Sequence, residues 1–286
     1  MILAIVGPTG VGKTKLSVEL AKKYKAIIIN SDAMQVYKGM DIGTAKITEE
    51  EKEGIPHYLF DIKDVEENYT VYDYQLDARK IIEENQDKNI IFVGGTGLYL
   101  KAALYSYEFS EEDTTTNEYE ELSNEELYKL AKEKDPNTMI HPNNRKRLVR
   151  FLNKKEINTE KSTPLYKAIY IGLTCNREDL YDRINKRVDK MFEEGLLKEV
   201  RRFYDKNIES KALSTAIGYK ELYAYFKGEI DLEEAKELIK KNSRHYAKRQ
   251  YTWFNNQMDI KWFNADFNDF NKTIEEVEKY IDERAK

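Results

Sequence analysis

Cysteine is almost absent from this chain. Cys175 stands alone among 286 residues, so no intramolecular disulfide and no cysteine-rich zinc site can form, and a buried structural thiol is expected. The three histidines, His57, His141 and His245, are too scattered to suggest a metal cluster. No apolar run approaches the roughly 20 residues that a bilayer-spanning helix needs. No signal-peptide pattern precedes the first apolar segment either, so a soluble, cytoplasmic protein with no membrane partner is expected. A basic excess is also missing. The formal net charge of −5 argues against a nucleic-acid partner for as long as the charge is spread evenly.

The charge is not spread evenly. Nine acids and no base lie between Lys101 and Lys129. By contrast "HPNNRKRLVRFLNKK", residues 141–155, carries six Lys/Arg and no acid, and "KKNSRHYAKRQYTWF", residues 240–254, carries five and no acid. Solvated helix faces usually mix both signs. Two single-sign, aromatic-bearing stretches on an acidic chain imply a local site for a polyanion.

What is present in abundance near the start is glycine in a fixed pattern. "GPTGVGKT", residues 7–14, follows the apolar run Ile2–Val6 and precedes an amphipathic stretch, "KTKLSVELAKKY". The spacing places Gly7, Gly12, Lys13 and Thr14 in a G-x-x-x-x-G-K-[ST] loop between a strand and a helix. Such a loop curls its backbone N–H groups around an anion at the helix N-terminus, with Lys13 able to reach a terminal phosphate and Thr14 able to hold Mg2+. The loop specifies phosphate rather than nucleotide, because any diphosphate carrier satisfies it.

Further apolar runs read as strands at Ala26–Ile29, Ile90–Val93, Ala168–Leu173 and Asp259–Phe263. Helical patterns lie at Lys13–Tyr24, Tyr72–Glu84 and Gly97–Leu104. Strands alternating with helices predict an α/β fold with a parallel sheet flanked by helices, of the P-loop, nucleotide-kinase-like kind. From Glu108 to Thr163 the strand signal stops, and helices are expected at Ser123–Lys134, with Ser123 as cap, and at Asn144–Lys154. The reading is a core made of residues 1–107 and 164–286, interrupted by a helical insertion over 108–163. Past Leu173 the helices Arg177–Glu193, Leu196–Tyr204, Tyr219–Phe226 and Leu232–Tyr251 are expected, the first ended by Gly195. A monomer is expected.

Ligands of open α/β sheets bind beyond the carboxyl ends of the strands. Two such ends besides the phosphate loop carry polar text: "SDAMQVYKGMDIGTAK", residues 31–46, and "GGTGLYL", residues 94–100. Asp32 thus falls near the phosphate, as a turn cap or as the residue that takes over the Mg2+-holding role of the Asp missing after "IIFV". Thr96 falls in a glycine turn able to approach a ligand, and Gly94, Gly95 and Gly97 serve either that approach or the turn itself. An ordinary P-loop NTPase would have Asp directly after "IIFV", where this chain has glycine.

At "NSDAMQVYKGMDIGTAK", "GIPHYLFD", "VGGTGLYLKAAL", "IHPNNRKRLVR", "REDLYDRINKRVDKMFEEGLLKEV", "AIGYKEL" and "YAKRQYTWF" the sequence resembles the tRNA dimethylallyltransferase (tRNA isopentenyltransferase) family, bacterial type. The motifs fall in family order and cover most of the chain. The resemblance implies transfer of a dimethylallyl group from dimethylallyl diphosphate to the exocyclic amine of the adenosine 3′ of the anticodon, in tRNAs reading codons that begin with U. It implies a diphosphate cradle of Gly7, Pro8, Thr9, Gly10, Val11, Gly12, Lys13 and Thr14, with Mg2+ on Thr14. Asp32 corresponds to the catalytic aspartate and Thr96 to a threonine near the reacting groups. Either Arg187 or Arg183 would face the diphosphate. The tRNA anticodon stem-loop would be met by Asp32, Ala33, Met34 and Gln35, by Lys146, Arg147, Leu148, Val149 and Arg150, by Gly218 and Tyr219, and by Lys248, Arg249, Gln250 and Trp253. Three departures stand out. Ala33 replaces the usual serine, the acidic insertion is short with "NKKEINTEKSTP" lacking a Thr-Gly turn, and the chain has no Cys/His-rich tail of the eukaryotic kind.

In this chemistry the loop N–H groups, Lys13, Mg2+ and an arginine meet the leaving charge, while Asp32 accepts the amine proton. A base to be modified must leave its stack, which suits a loop nucleotide. Two alternatives remain at this stage: prenylation of free adenine nucleotides, and a P-loop small-molecule kinase. Neither has a use for the two basic stretches. A third, an RNA-binding module with a vestigial loop, is at odds with intact Lys13, Thr14 and Asp32.

Overall fold

The computed structural model describes residues 1–109, 119, 121–154 and 163–284. The chain divides into two compact units, Met1–Tyr105 with Pro164–Lys286, and Ser106–Thr163.

The larger unit is built on the strands β1 (Ile2–Val6), β2 (Ala26–Asn30), β3 (His57–Tyr58), β4 (Asn89–Val93), β5 (Ala168–Thr174) and β6 (Lys261–Asn264). They form one sheet in the order β3-β2-β4-β1-β5-β6, and every neighbouring pair is parallel. Crossover helices explain both facts, since parallel strands need long connections that cover the sheet. Alternate residues face opposite sides of a strand. Ala4, Val6, Ile27, Ile29, Ile90 and Phe92 accordingly lie in one buried core, and Leu3, Ile5, Ile28, Ile91 and Ile171 in another.

Helices α1 (Lys13–Tyr24) and α12 (Phe270–Arg284) cover the second face, through Leu16, Leu20, Ile274, Val277 and Ile281. The first face is covered by α3 (Val71–Glu84), α4 (Gly97–Leu104), α8 (Leu196–Asp205), α10 (Tyr219–Phe226) and α11 (Leu232–Gln257). Helix α7 (Arg177–Glu194) runs from the end of β5 and stops at Gly195, whose φ of 108° is a left-handed cap that favours glycine. Single-turn helices α2 (Glu49–Lys52) and α9 (Lys211–Thr215) complete this unit.

Within the smaller unit α5 (Asn124–Lys134) packs on α6 (Arg145–Leu152) through Leu127, Ala131, Leu148 and Leu152, with Ile140 from the connection. Ser123 and Glu126 form the reciprocal cap expected at the start of α5, and Asn144 caps α6. Part of the acidic run (Glu111, Glu112, Asp113, Glu118, Glu120) and most of "NKKEINTEKSTP" lie outside the described residues.

The strand expected over Asp259–Phe263 sits slightly later, at Lys261–Asn264, and β3, α2, α9 and α12 were not anticipated. Among the described residues no helix is long and apolar enough to cross a membrane.

Candidate active site

The phosphate loop turns between β1 and α1 on three glycines with positive φ: Gly7 (139°), Gly10 (89°) and Gly12 (92°). Each would be strained as any other residue. Space is short as well, since a Cβ on Gly7 would lie 2.4 Å from the Leu173 carbonyl oxygen. Lys13 Nζ donates to the carbonyls of Gly7 (2.9 Å) and Pro8 (2.8 Å), so the ammonium is folded over the loop. The loop is tied to α11 and α7 from outside. Thr9 N–H donates to Gln250 Oε1 at 3.0 Å, while Gln250 Nε2 donates to the Gly95 carbonyl at 3.2 Å. Arg183 Nε donates to the Gly10 carbonyl at 3.0 Å.

Asp32 lies two residues past the end of β2 and is held by Asn30. The Asn30 side chain accepts from Asp32 N–H at 2.8 Å and donates to the carbonyls of Asp32 and Leu59, each at 3.0 Å. One carboxylate oxygen of Asp32, Oδ1, accepts from Met34 N–H at 3.0 Å, which is a turn-capping bond. Thr96 Oγ1 accepts from Ala33 N–H at 3.0 Å, and the Tyr246 hydroxyl lies beside Thr96 and Gln250. The glycines after β4 serve close approach. A Cβ on Gly94 would lie 2.2 Å from the backbone of Ser31, on Gly95 1.9 Å from Gln250, and on Gly97 2.1 Å from the Trp253 ring. Glycine thus stands where an NTPase has Asp because the Ser31–Asp32 backbone crosses the end of β4 there.

The loop that follows Asp32 is anchored by a buried glutamate that sequence reading missed. Glu199 of α8, 4% exposed, accepts from the N–H groups of Asp41 (3.1 Å), Ile42 (2.8 Å) and Gly43 (3.0 Å), and from the Tyr219 hydroxyl (2.5 Å). Lys46, from the same loop, is paired with Asp41 and Asp61 at 2.7 and 2.6 Å.

Three charges converge on the site. Burial and the neighbouring Arg187 cation push the Lys13 ammonium down to about 7, with the Asp32 carboxylate opposing them. Burial likewise lowers Arg187, against the pull of Asp32 and Glu194. The Tyr246 hydroxyl is pushed up by burial and by Asp32, and so stays protonated. A cavity of about 800 Å³ opens over Thr9, Gly10, Gly12, Lys13, Thr14 and Arg183. A second, of about 300 Å³, is lined by Met34, Ile184, Val188, Met191, Ile217 and Asn242, with Arg249 at its side. Thr9, Asp32, Thr44, Arg187 and Tyr246 line both. The site has two chambers, and Asp32 is at their junction.

Arg187 is therefore the arginine between the chambers, whereas Arg183 is spent partly on the loop carbonyl. Tyr246 was not singled out from sequence, although it lies inside the second basic stretch. Some residues expected to meet RNA are turned inward. Leu148, Tyr219 and Gln250 are 0%, 0% and 5% exposed, so their side chains build the fold rather than a surface. Trp253 packs on Gly97, Val149 packs against the insertion's core, Gly218 caps α10, and Gln35 Nε2 donates to the Thr44 and Ala45 carbonyls. Lys146, Arg147, Arg150, Lys248 and Arg249 are exposed.

The family model described as IPP transferase matches residues 35–257, well over half of the chain. The chain belongs to the IPP transferase family. Relatives of this family member include proteins named tRNA dimethylallyltransferase. One from Anoxybacillus flavithermus is 46% identical, over 98% of this chain and 96% of its own length. Another from Bacillus subtilis is 48% identical, over 92% and 90%. Among solved structures, a full-length tRNA isopentenylpyrophosphate transferase from Bacillus halodurans superposes with a TM-score of 0.76 at 43% identity, covering 98% of this chain and 95% of that one. A eukaryotic dimethylallyltransferase described as acting on tRNA superposes at 0.79 with 31% identity, covering 93% and 74%. The phosphate loop precedes the span matched by the IPP transferase model, and β6 and α12 follow it.

Proposed function

We propose that this chain transfers the dimethylallyl group of dimethylallyl diphosphate to the exocyclic amine of a tRNA adenosine, releasing diphosphate. The observation that carries the reading is the pair of chambers meeting at Asp32 and Arg187, one floored by the phosphate loop and the other by apolar side chains with Asn242 and Tyr246. The diphosphate fits the first, where loop N–H groups, Lys13 and Arg187 answer its charge. An adenine turned out of its stack fits the second. The amine lone pair attacks C1 of the prenyl group, the C1–O bond breaks with its electrons going to the diphosphate, and the amine proton passes to Asp32. The oxygen of Asp32 not engaged by Met34 is the one available for that proton, and Asn30 fixes the backbone that aims it.

A magnesium ion fits this site. Thr14 is exposed at the rim of the larger chamber, and among the described residues no group of three or more His, Cys, Asp or Glu side chains could hold a metal by itself. Such a poor protein donor set suits Mg2+, which takes most of its oxygens from phosphate and water. Held at Thr14, it would supply further positive charge to the leaving group.

Exposed Lys146, Arg147 and Arg150 on α6, and Lys248 and Arg249 on α11, give the RNA backbone its contacts in this reading. The adenosine 3′ of the anticodon, in tRNAs reading codons that begin with U, is the acceptor the family resemblance implies. The names of the relatives favour tRNA over free adenine nucleotides and over phosphoryl transfer.

Asp32→Asn tests the reading. Asn keeps the acceptor for Met34 N–H, so a capping role would survive with a loss of at most about 1 kcal/mol. A base would not, and single-turnover prenyl transfer should fall by about 10²–10⁴-fold, with melting temperature and both Michaelis constants nearly unchanged. A rate above about a tenth of wild type would remove Asp32 from proton transfer.

A further inference from the structure

The turn between β6 and α12, residues 265–269, and Phe270 at the start of α12 sit against the outside of the phosphate loop, although they lie beyond the span matched by the IPP transferase model. The turn is firmly built. Ala265 N–H donates to the Thr174 carbonyl at 2.8 Å, and Asp266 N–H donates to Thr273 Oγ1 at 2.9 Å. Asp266 Oδ1 accepts from the N–H groups of Asn268 and Asp269, at 2.9 and 3.1 Å.

Two aromatic rings project from this segment, Phe267 onto Arg183 and Phe270 onto the loop at Gly12. The Arg183 guanidinium lies 3.7 Å from the centroid of Phe267 while its Nε holds the Gly10 carbonyl. Phe270 lies so close to Gly12 that a Cβ there would meet the ring at 2.8 Å, and Lys15 Nζ stands 5.3 Å from the same ring centroid. Gly10 and Gly12 are both held at positive φ, the conformations that aim the loop N–H groups inward.

We propose that Phe267 and Phe270 are positioning residues for the diphosphate cradle. Phe267 fixes Arg183, and through it the Gly10 peptide, while Phe270 closes the loop from outside at Gly12. A guanidinium stacked on a ring loses rotational freedom as well as gaining attraction, so its remaining N–H groups keep their direction at the edge of the larger chamber. Neither ring touches the reacting atoms. The role of the cradle rests on the function proposed above. The contacts that shape it do not.

The test measures inorganic pyrophosphate binding and steady-state kinetics for wild type, Phe267→Leu, Phe267→Tyr and Phe270→Leu. Phe267→Leu keeps an apolar side chain but removes the ring face, and should weaken pyrophosphate binding and raise KM for dimethylallyl diphosphate about three- to tenfold. The KM for tRNA and the melting temperature should stay near wild type. Phe267→Tyr restores the ring and should restore both constants. Phe270→Leu should weaken pyrophosphate binding in the same direction. Unchanged pyrophosphate affinity in both leucine variants overturns the proposal, as does a uniform rise in both Michaelis constants with a matching drop in melting temperature. Failure of the wild type to prenylate tRNA would instead refute the function, and the pyrophosphate arm would still decide the role of the rings.

Discussion

Lys13 and Asp32 show how much one residue's surroundings decide. Burial beside Arg187 leaves the Lys13 ammonium near 7 in the free protein, and a diphosphate beside it favours the charged form. Above pH 7 the bound state therefore holds more protons than the free one. Affinity for dimethylallyl diphosphate should fall as pH rises from 7.5 to about 9, with net proton uptake in calorimetry across buffers of different ionisation enthalpy. Proton release on binding would contradict the placement of Lys13. At the adjacent position, the Thr14 hydroxyl as an Mg2+ ligand predicts that EDTA abolishes turnover while tRNA is still retained in a gel-shift assay. Full turnover in EDTA would remove the metal from the mechanism. Glycine-rich spacing made the phosphate loop legible in sequence, because its backbone geometry tolerates few alternatives. Tyr246 and Glu199 were not legible. Each sits in a helix among charged neighbours, and only the fold shows that Tyr246 turns toward Asp32 and that Glu199 is buried under the 41–43 turn.

At the level of elements, the strands that carry the site were readable because buried parallel strands are unbroken apolar runs. β3 has two residues, and α2 and α9 have four and five, too short for any periodicity to register. α12 did carry a signal in Ile274, Val277 and Ile281, yet the polar text before it masks its start. The α8–α10 pair holds the Asp32 loop through one carboxylate. Glu199→Gln places an amide donor among four donors and should cost about 2–4 kcal/mol, while Tyr219→Phe removes one bond and should cost about 1 kcal/mol. Equal effects in chemical denaturation would mean that the 41–43 turn does not depend on the carboxylate.

Across the whole molecule, the proposed function requires an acidic protein to bind a polyanion, and the exposed basic residues on α6 and α11 are the means it would use. RNA affinity should fall steeply with salt despite the net charge of −5, each phosphate neutralised contributing roughly −0.7 to −0.9 to the log–log slope. Replacing Lys146 and Arg147 with Ala should flatten that slope and leave dimethylallyl diphosphate affinity alone. An unaltered slope would make α6 an ordinary solvated face. The central claim, that a prenyl diphosphate in one chamber meets a tRNA base in the other, has one direct measurement. Dimethylallyl diphosphate labelled in the prenyl group is supplied with unmodified tRNA, free AMP and ATP together, and the tRNA is digested to nucleosides. The account predicts label on the exocyclic amine of the adenosine 3′ of the anticodon, with AMP unlabelled and ATP intact. Label on AMP in preference to tRNA, or consumption of ATP without label transfer, would contradict it.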